Sequence, residues 1–198
     1  TICLIDVGPN LGAINRASLV AADFVVIPIA PDLFSIRGLA NVGPALRRWR
    51  GDWQKRLDEW PPLLKFQKPS GNMAPLGYVV SRYTIYARGA VGAYQRWLDR
   101  APEIYRTAVE AIQAPPNLTI DSDDRRIAQL KDYRSLMAMA QEARKPMFLL
   151  RAADGAIGGH QAAVKECEED FRALAREILR RMDRASGIAG TISATAAR

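Results

Sequence analysis

Residues 2–29 read ICLIDVGPNLGAINRASLVAADFVVIPI, and their patterning decides the fold class. Ile2 to Ile5 form a continuous apolar run that ends on Asp6, and Phe24 to Ile29 form a second. Runs apolar on both faces mark strands covered on both sides, as in a parallel sheet. Between them Leu11, Ile14, Ala17 and Ala21 recur at helical spacing. Strand, helix and strand in such close succession make a βαβ unit.

The pattern continues outward. A helix is predicted after Pro31-Asp32, with Ser35 as its N-cap, Ile36, Leu39, Val42, Leu46 and Trp49 on one side, and a bend at Gly38, Gly43 and Pro44. Residues 61–75 carry four prolines and read as a surface excursion. Leu76 to Val80 supply a third strand, and a helical region runs from about Ala87 to Gln113 with a break near Pro102. Asp121 to Asp124 open a short helical segment, Ser135 begins a helix through Ala143, and Met147 to Leu150 read as a last strand. The closing helix, about Gly159 to Ala185, carries an apolar stripe of Val164, Cys167, Phe171, Leu174, Ala175, Ile178 and Met182. The expected class is α/β, a mostly parallel sheet with helices on both faces. Residues 1–185 form one domain portion, and 186–198 a flexible tail.

The chain has 198 residues, 48% apolar and 25% charged, as in an ordinary globular protein. Its net charge of +7 gives a positive field able to attract nucleic acid, though a basic protein without a polyanionic partner fits as well. Cys3 and Cys167 both lie in apolar patterns and His160 is the only histidine, so no zinc-type cluster can be assembled. Two buried thiols fit a reducing cytoplasm. No apolar run approaches a membrane span, and no membrane partner is expected.

An acid at the carboxyl end of an apolar strand suits Mg²⁺ or its water shell beside a triphosphate, and Gly8 lets a backbone N–H approach a phosphate. The same Asp6 could instead merely cap the following helix. Context adds to this: IDVGPNLGAINRASLVAADFVVIPIAPDLFSIRGL, residues 5–39, resembles the ParA/MinD-like family of deviant-Walker P-loop ATPases. GYVVSRY resembles the family's next core strand, YRSLMAMAQEARKPMFLL its Pro-Arg-containing segment, and GAIGGHQAAVKECEEDFRALAREI its closing helix. About residues 45–75 and 90–130 lie outside the resemblance.

The resemblance implies a P-loop NTPase-like fold, incomplete at its N-terminus, that binds ATP and Mg²⁺ in a homodimer. It implies that Asp6 is the catalytic Walker B acid, acting on Mg²⁺ through water. Gly8 and Pro9 would belong to the loop that senses the γ-phosphate, and Arg134 and Ser135 would lie near the adenine. Arg82 is a further base-side candidate, or an exposed arginine with no such role. Tyr133 stands where the family has proline. The family's partitioning members bind DNA nonspecifically and meet a ParB-like adaptor, which implies a cytoplasmic, nucleoid-associated protein.

No G-x-x-x-x-G-K-[ST] occurs in the chain, and Gly8 to Gly12 lack the lysine and hydroxyl that cradle phosphates. The expectation is therefore a C-terminal portion of a longer protein that alone does not hydrolyse ATP, the alternative being a short variant that has dropped catalysis.

Arg172, Arg176, Arg180 and Arg184 recur every four residues opposite the apolar stripe. That ridge could track DNA phosphates, or be a solvated face paired with Glu168, Glu169 and Glu177. Arg47, Arg48, Arg50, Lys55 and Arg56 surround Trp49 and Trp53, which read as packing residues beside a partner-docking helix rather than as base-stacking platforms. Two other classes stay open. A MinD-like membrane positioner would end in an amphipathic helix, unlike GIAGTISATAAR, and a degenerate fold would serve only to bind another protein.

Overall fold

A computed structural model describes the chain except residues 1, 9, 11, 62–66, 84–90 and 197–198, and except the side chains of 82–83, 91–94 and 188–196. Three strands, β1 (Phe24–Ile29), β2 (Ala74–Tyr83) and β3 (Arg126–Lys131), form a parallel sheet in the order β1-β2-β3. The ladder runs from Phe24 opposite Ala74 to Ile29 opposite Val80, and from Tyr78 opposite Arg126 to Tyr83 opposite Lys131. Parallel neighbours require crossovers, which the helices provide.

The two faces are covered by different elements. α1 (Ala13–Ala21), α2 (Leu33–Asp58), α3 (Val91–Leu98), α4 (Ala101–Ile104) and a π-helical turn (Tyr105–Glu110) belong to one side. There Val25, Ile27, Ile29, Tyr78 and Val80 meet Leu39, Leu46 and Trp49 of α2, with Leu98, Tyr105 and Val109 behind them. Each fully buried leucine in such a layer contributes about 2 kcal/mol. α6 (Gly159–Ala196) covers the opposite face, Leu174, Ile178 and Met182 lying on Leu76, Val79 and Ile127. A satellite core gathers Tyr133, Leu136 of α5 (Ser135–Ala143), Leu150 and Cys167. The α/β class is as expected.

α2 begins because the Asp32 carboxylate accepts the Ser35 backbone N–H at 2.7 Å, so Asp32 is the N-cap and Ser35 lies inside the first turn. The helix continues through Pro44 to Asp58. Gly43 lets the π-turn approach α2 closely, since a Cβ there would be driven into the Ala108 carbonyl. The expected excursion is pinned down in its second half. Trp53 Nε1 donates to Pro69 O at 2.9 Å, Gln54 to Ser70 O, and Arg50 to Asn72 O and Met73 O at 2.8 and 3.0 Å.

Three expectations are corrected. Residues 2–8 form no strand, and Ile2, Leu4 and Ile5 are 56%, 88% and 50% exposed. An apolar run becomes a strand only with a neighbouring ladder, and no described segment supplies one; Cys3 is therefore exposed, not buried. The segment after Asp121–Asp124 is β3, whose edge position tolerates Arg126, Gln129 and Lys131. Met147–Leu149 form a 3₁₀ turn instead of a strand, started by Pro146, with Leu149 55% exposed.

Candidate functional site

Open parallel sheets bind ligands beyond the carboxyl ends of their strands. At that end of β3, Arg134 takes φ 47°, with its N–H donating to Asp132 Oδ1 at 2.8 Å. A non-glycine residue in that region stores about 1–3 kcal/mol of strain. The turn presents Arg134 and Ser135 to solvent at the start of α5, and Ser135 Oγ lies 3.0 Å from His160 Nε2 on the first turn of α6. Tyr133 is a core residue, its hydroxyl donating to Asp170 Oδ2 at 2.8 Å and its ring tilted on Phe171. Arg82 is a backbone member of β2 at the same end, but its side chain lies outside the described residues.

The opening loop is built by asparagines. Asn15 Nδ2 donates to Gly8 O and Asn10 O, both at 2.8 Å, and Asn10 Oδ1 accepts the Gly12 N–H at 3.0 Å. Asp6 and Gly8 are exposed, and Pro9 lies outside the described residues. α1 lies along the C-terminal half of α2, with Ala13, Arg16 and Ala17 sharing a cleft with Trp53 and Arg56. One turn earlier on α2, Arg50 is bonded to the chain just before β2. Among the described residues no hydrogen bond or ion pair joins Asp6 or Gly8 to Arg134 or Ser135.

The loop offers carbonyls already held by Asn15 and has no lysine or hydroxyl between residues 2 and 12. Among the described residues no group of three or more His, Cys, Asp or Glu could hold a metal ion. No described helix is long and apolar enough to cross a membrane.

The arginine ridge divides. Arg172 donates to Glu168 at 2.5 Å, and Arg180 makes two bonds to Glu177 at 2.7 Å. Arg176 and Arg184 are exposed, with no ion pair among the described residues. Arg181 turns inward, donating to Leu76 O and Asp124 O at 2.8 Å and to Arg126 O at 3.2 Å. Glu177 orients both arginines, and chiefly the Arg180 bond holds its carboxyl down to about 2. In the other cluster Arg47 donates to Ala108 O and Arg50 to the chain before β2, while Trp49 is buried; packing is their work.

Sequence reading missed one polar centre. Asp123, 4% exposed, accepts from Tyr78 Oη at 2.7 Å and Arg106 Nη2 at 2.6 Å, and Arg106 is itself 7% exposed. Its signal was spacing: Pro102, Arg106 and Val109 fall on one helical side, so the arginine had to be buried. Tyr105 Oη, Arg106 Nε and Glu110 Oε2 nearby are buried without a hydrogen-bond partner.

Residues 1–58 match the family model of an AAA domain, a ParA/MinD-type P-loop ATPase family. The match spans the opening loop, α1, β1 and α2 and supports kinship with P-loop ATPases. No curated protein and no solved structure matches the chain.

Proposed function

We propose that the chain is part of a ParA-like partitioning ATPase, a nucleotide-switched dimer that binds DNA nonspecifically and answers to a ParB-like adaptor. The observation that carries this reading is the family match over residues 1–58, joined to a parallel sheet flanked by helices. Further support comes from the order of the later motifs, GYVVSRY on β2 and the Arg134–Ser135 turn after β3. ATP and Mg²⁺ belong to this reading as properties of the intact ATPase, and the 198 residues alone neither bind ATP tightly nor hydrolyse it. Titration calorimetry with Mg·ATP tests that statement: submicromolar affinity for this chain overturns it.

DNA contact falls on α6. Arg176 and Arg184 are its ridge cations without an ion pair among the described residues, whereas Arg172 and Arg180 are engaged by glutamates. Each phosphate contact steepens the dependence of log K on log salt by roughly 0.9 for duplex DNA. Replacing Arg176 and Arg184 by alanine should flatten that slope by up to about two units, and an unchanged slope removes the ridge from the DNA surface.

A second reading, a non-catalytic module that binds another protein, is favoured by the lack of a lysine or hydroxyl between residues 2 and 12. Duplex DNA binding without salt dependence at α6, together with adaptor-independent behaviour, would select it.

A further inference from the structure

We infer that the cleft between α1 and α2 docks an acidic peptide segment of a partner protein, one apolar side chain inserted between two arginines. The cleft encloses about 380 Å³ and is walled by Arg16, Ala13 and Ala17 from α1 and by Trp49, Trp53 and Arg56 from α2. No carboxylate lines it.

The charge pattern is the first argument. Arg47, Arg50, Arg106, Arg125, Arg126, Arg172, Arg180 and Arg181 each donate to a carbonyl or carboxylate. Arg16 and Arg56 have no side-chain partner among the described residues, although they come from different helices and line one cleft. Two uncompensated cations beside an apolar floor complement an anion with an apolar centre.

The second argument concerns shape. Ala13 and Ala17, one turn apart, leave space that larger residues would fill. The volume lies at the lower end of the range for ligand pockets, roughly 300–1,000 Å³. It takes a single large side chain and its flanks. A DNA duplex is too broad to enter, and a single strand would need a free aromatic face. Neither indole offers one. Trp49 is 3% exposed; Trp53 spends its N–H on Pro69 O, packs edge-on to Trp60 and has Gly71 against its five-membered ring. The cleft therefore recognises carboxylates and an apolar anchor.

The test is an array of labelled heptapeptides, three Asp or Glu residues on each side of a varied central position, read by fluorescence anisotropy against the full chain. Peptides with an aromatic or branched aliphatic centre should bind saturably and weaken as salt rises. Arg16→Glu with Arg56→Glu should weaken them at least tenfold, with the far-ultraviolet circular dichroism unchanged because neither side chain is bonded. Ala17→Trp, which fills the cleft without altering charge, should weaken them similarly, and Arg176→Glu with Arg184→Glu should not. Equal binding of glycine-centred peptides overturns the proposal, as does insensitivity to both cleft variants. Displacement of the peptides by oligothymidylate at Arg16 and Arg56 also overturns it, in favour of nucleic acid.

Discussion

The Tyr78 hydroxyl donates to the Asp123 carboxylate at 2.7 Å, joining the middle of β2 to the loop before β3 across 45 residues of sequence. Arg106 reaches the other oxygen from the π-helical turn, so one buried carboxylate ties strand, loop and helix together. Removing one member of a buried pair strands the other charge, at about 3–5 kcal/mol. Asp123→Ala should fall near the lower figure, because Asp124 also accepts from Arg106. Tyr78→Phe should cost about 1–2 kcal/mol, and Tyr105→Phe, whose hydroxyl has no partner, should be neutral or stabilising. Urea unfolding ranks the three; a Tyr105→Phe loss larger than that of Tyr78→Phe would contradict the assignment.

Gly43 carries a steric prediction. A Cβ at this position collides with the Ala108 carbonyl and lies 2.7 Å from Val109 N, backbone atoms that cannot rotate away. Gly43→Ala should destabilise by about 2–3 kcal/mol despite alanine's better helix propensity. Gly38, with nothing within 4 Å of a Cβ, is the control, and Gly38→Ala should stabilise slightly.

The thiols should separate cleanly. Cys3 is exposed, whereas Cys167 is fully buried and burial, with Asp170 nearby, pushes its thiol up to about 11. Native protein at pH 8 should react promptly with one equivalent of a thiol reagent, and unfolded protein with two. Fast labelling of both in the native state would place Cys167 outside the satellite core.

Glu177 gives a pH signature. Its folded carboxyl is depressed to about 2 from an ordinary 4.5, so its stabilisation is fully present above the ordinary value and is lost as pH falls towards 2. Wild type should exceed Glu177→Gln in stability between pH 5 and 7, and the two should converge across pH 4.5 to 2. Guanidinium unfolding at several pH values checks this. A difference independent of pH would mean that packing, not charge, holds Glu177.

Legibility followed environment. Leu76 to Val80 were readable as a strand because both faces are buried, Phe24 to Ile29 because one face is buried throughout and the other is apolar, and Ser135 to Ala143 because Pro146 stops the helix soon after its last turn. β3 was not: at the sheet edge Arg126, Gln129 and Lys131 bond or pair with Asp121, Arg126 and Glu166, so polarity concealed a strand. ICLI and MFLL share the composition of strands, but a strand also needs a partner ladder, which composition does not carry. At the candidate site the Arg134 turn was legible as a motif. The Asn15 bonds that hold the Gly8 and Asn10 carbonyls were not, because they depend on how the loop folds back on α1. The Arg181 bonds depend on contacts 105 residues distant.

Arg181 gives this fold an order in time. Its guanidinium bonds carbonyls at the start of both β2 and β3 from a helix that the ribosome delivers after all three strands. During synthesis β2 and β3 exist before the residue that fastens their amino ends. A chain ending before Arg181 would keep its strands but lose this clasp.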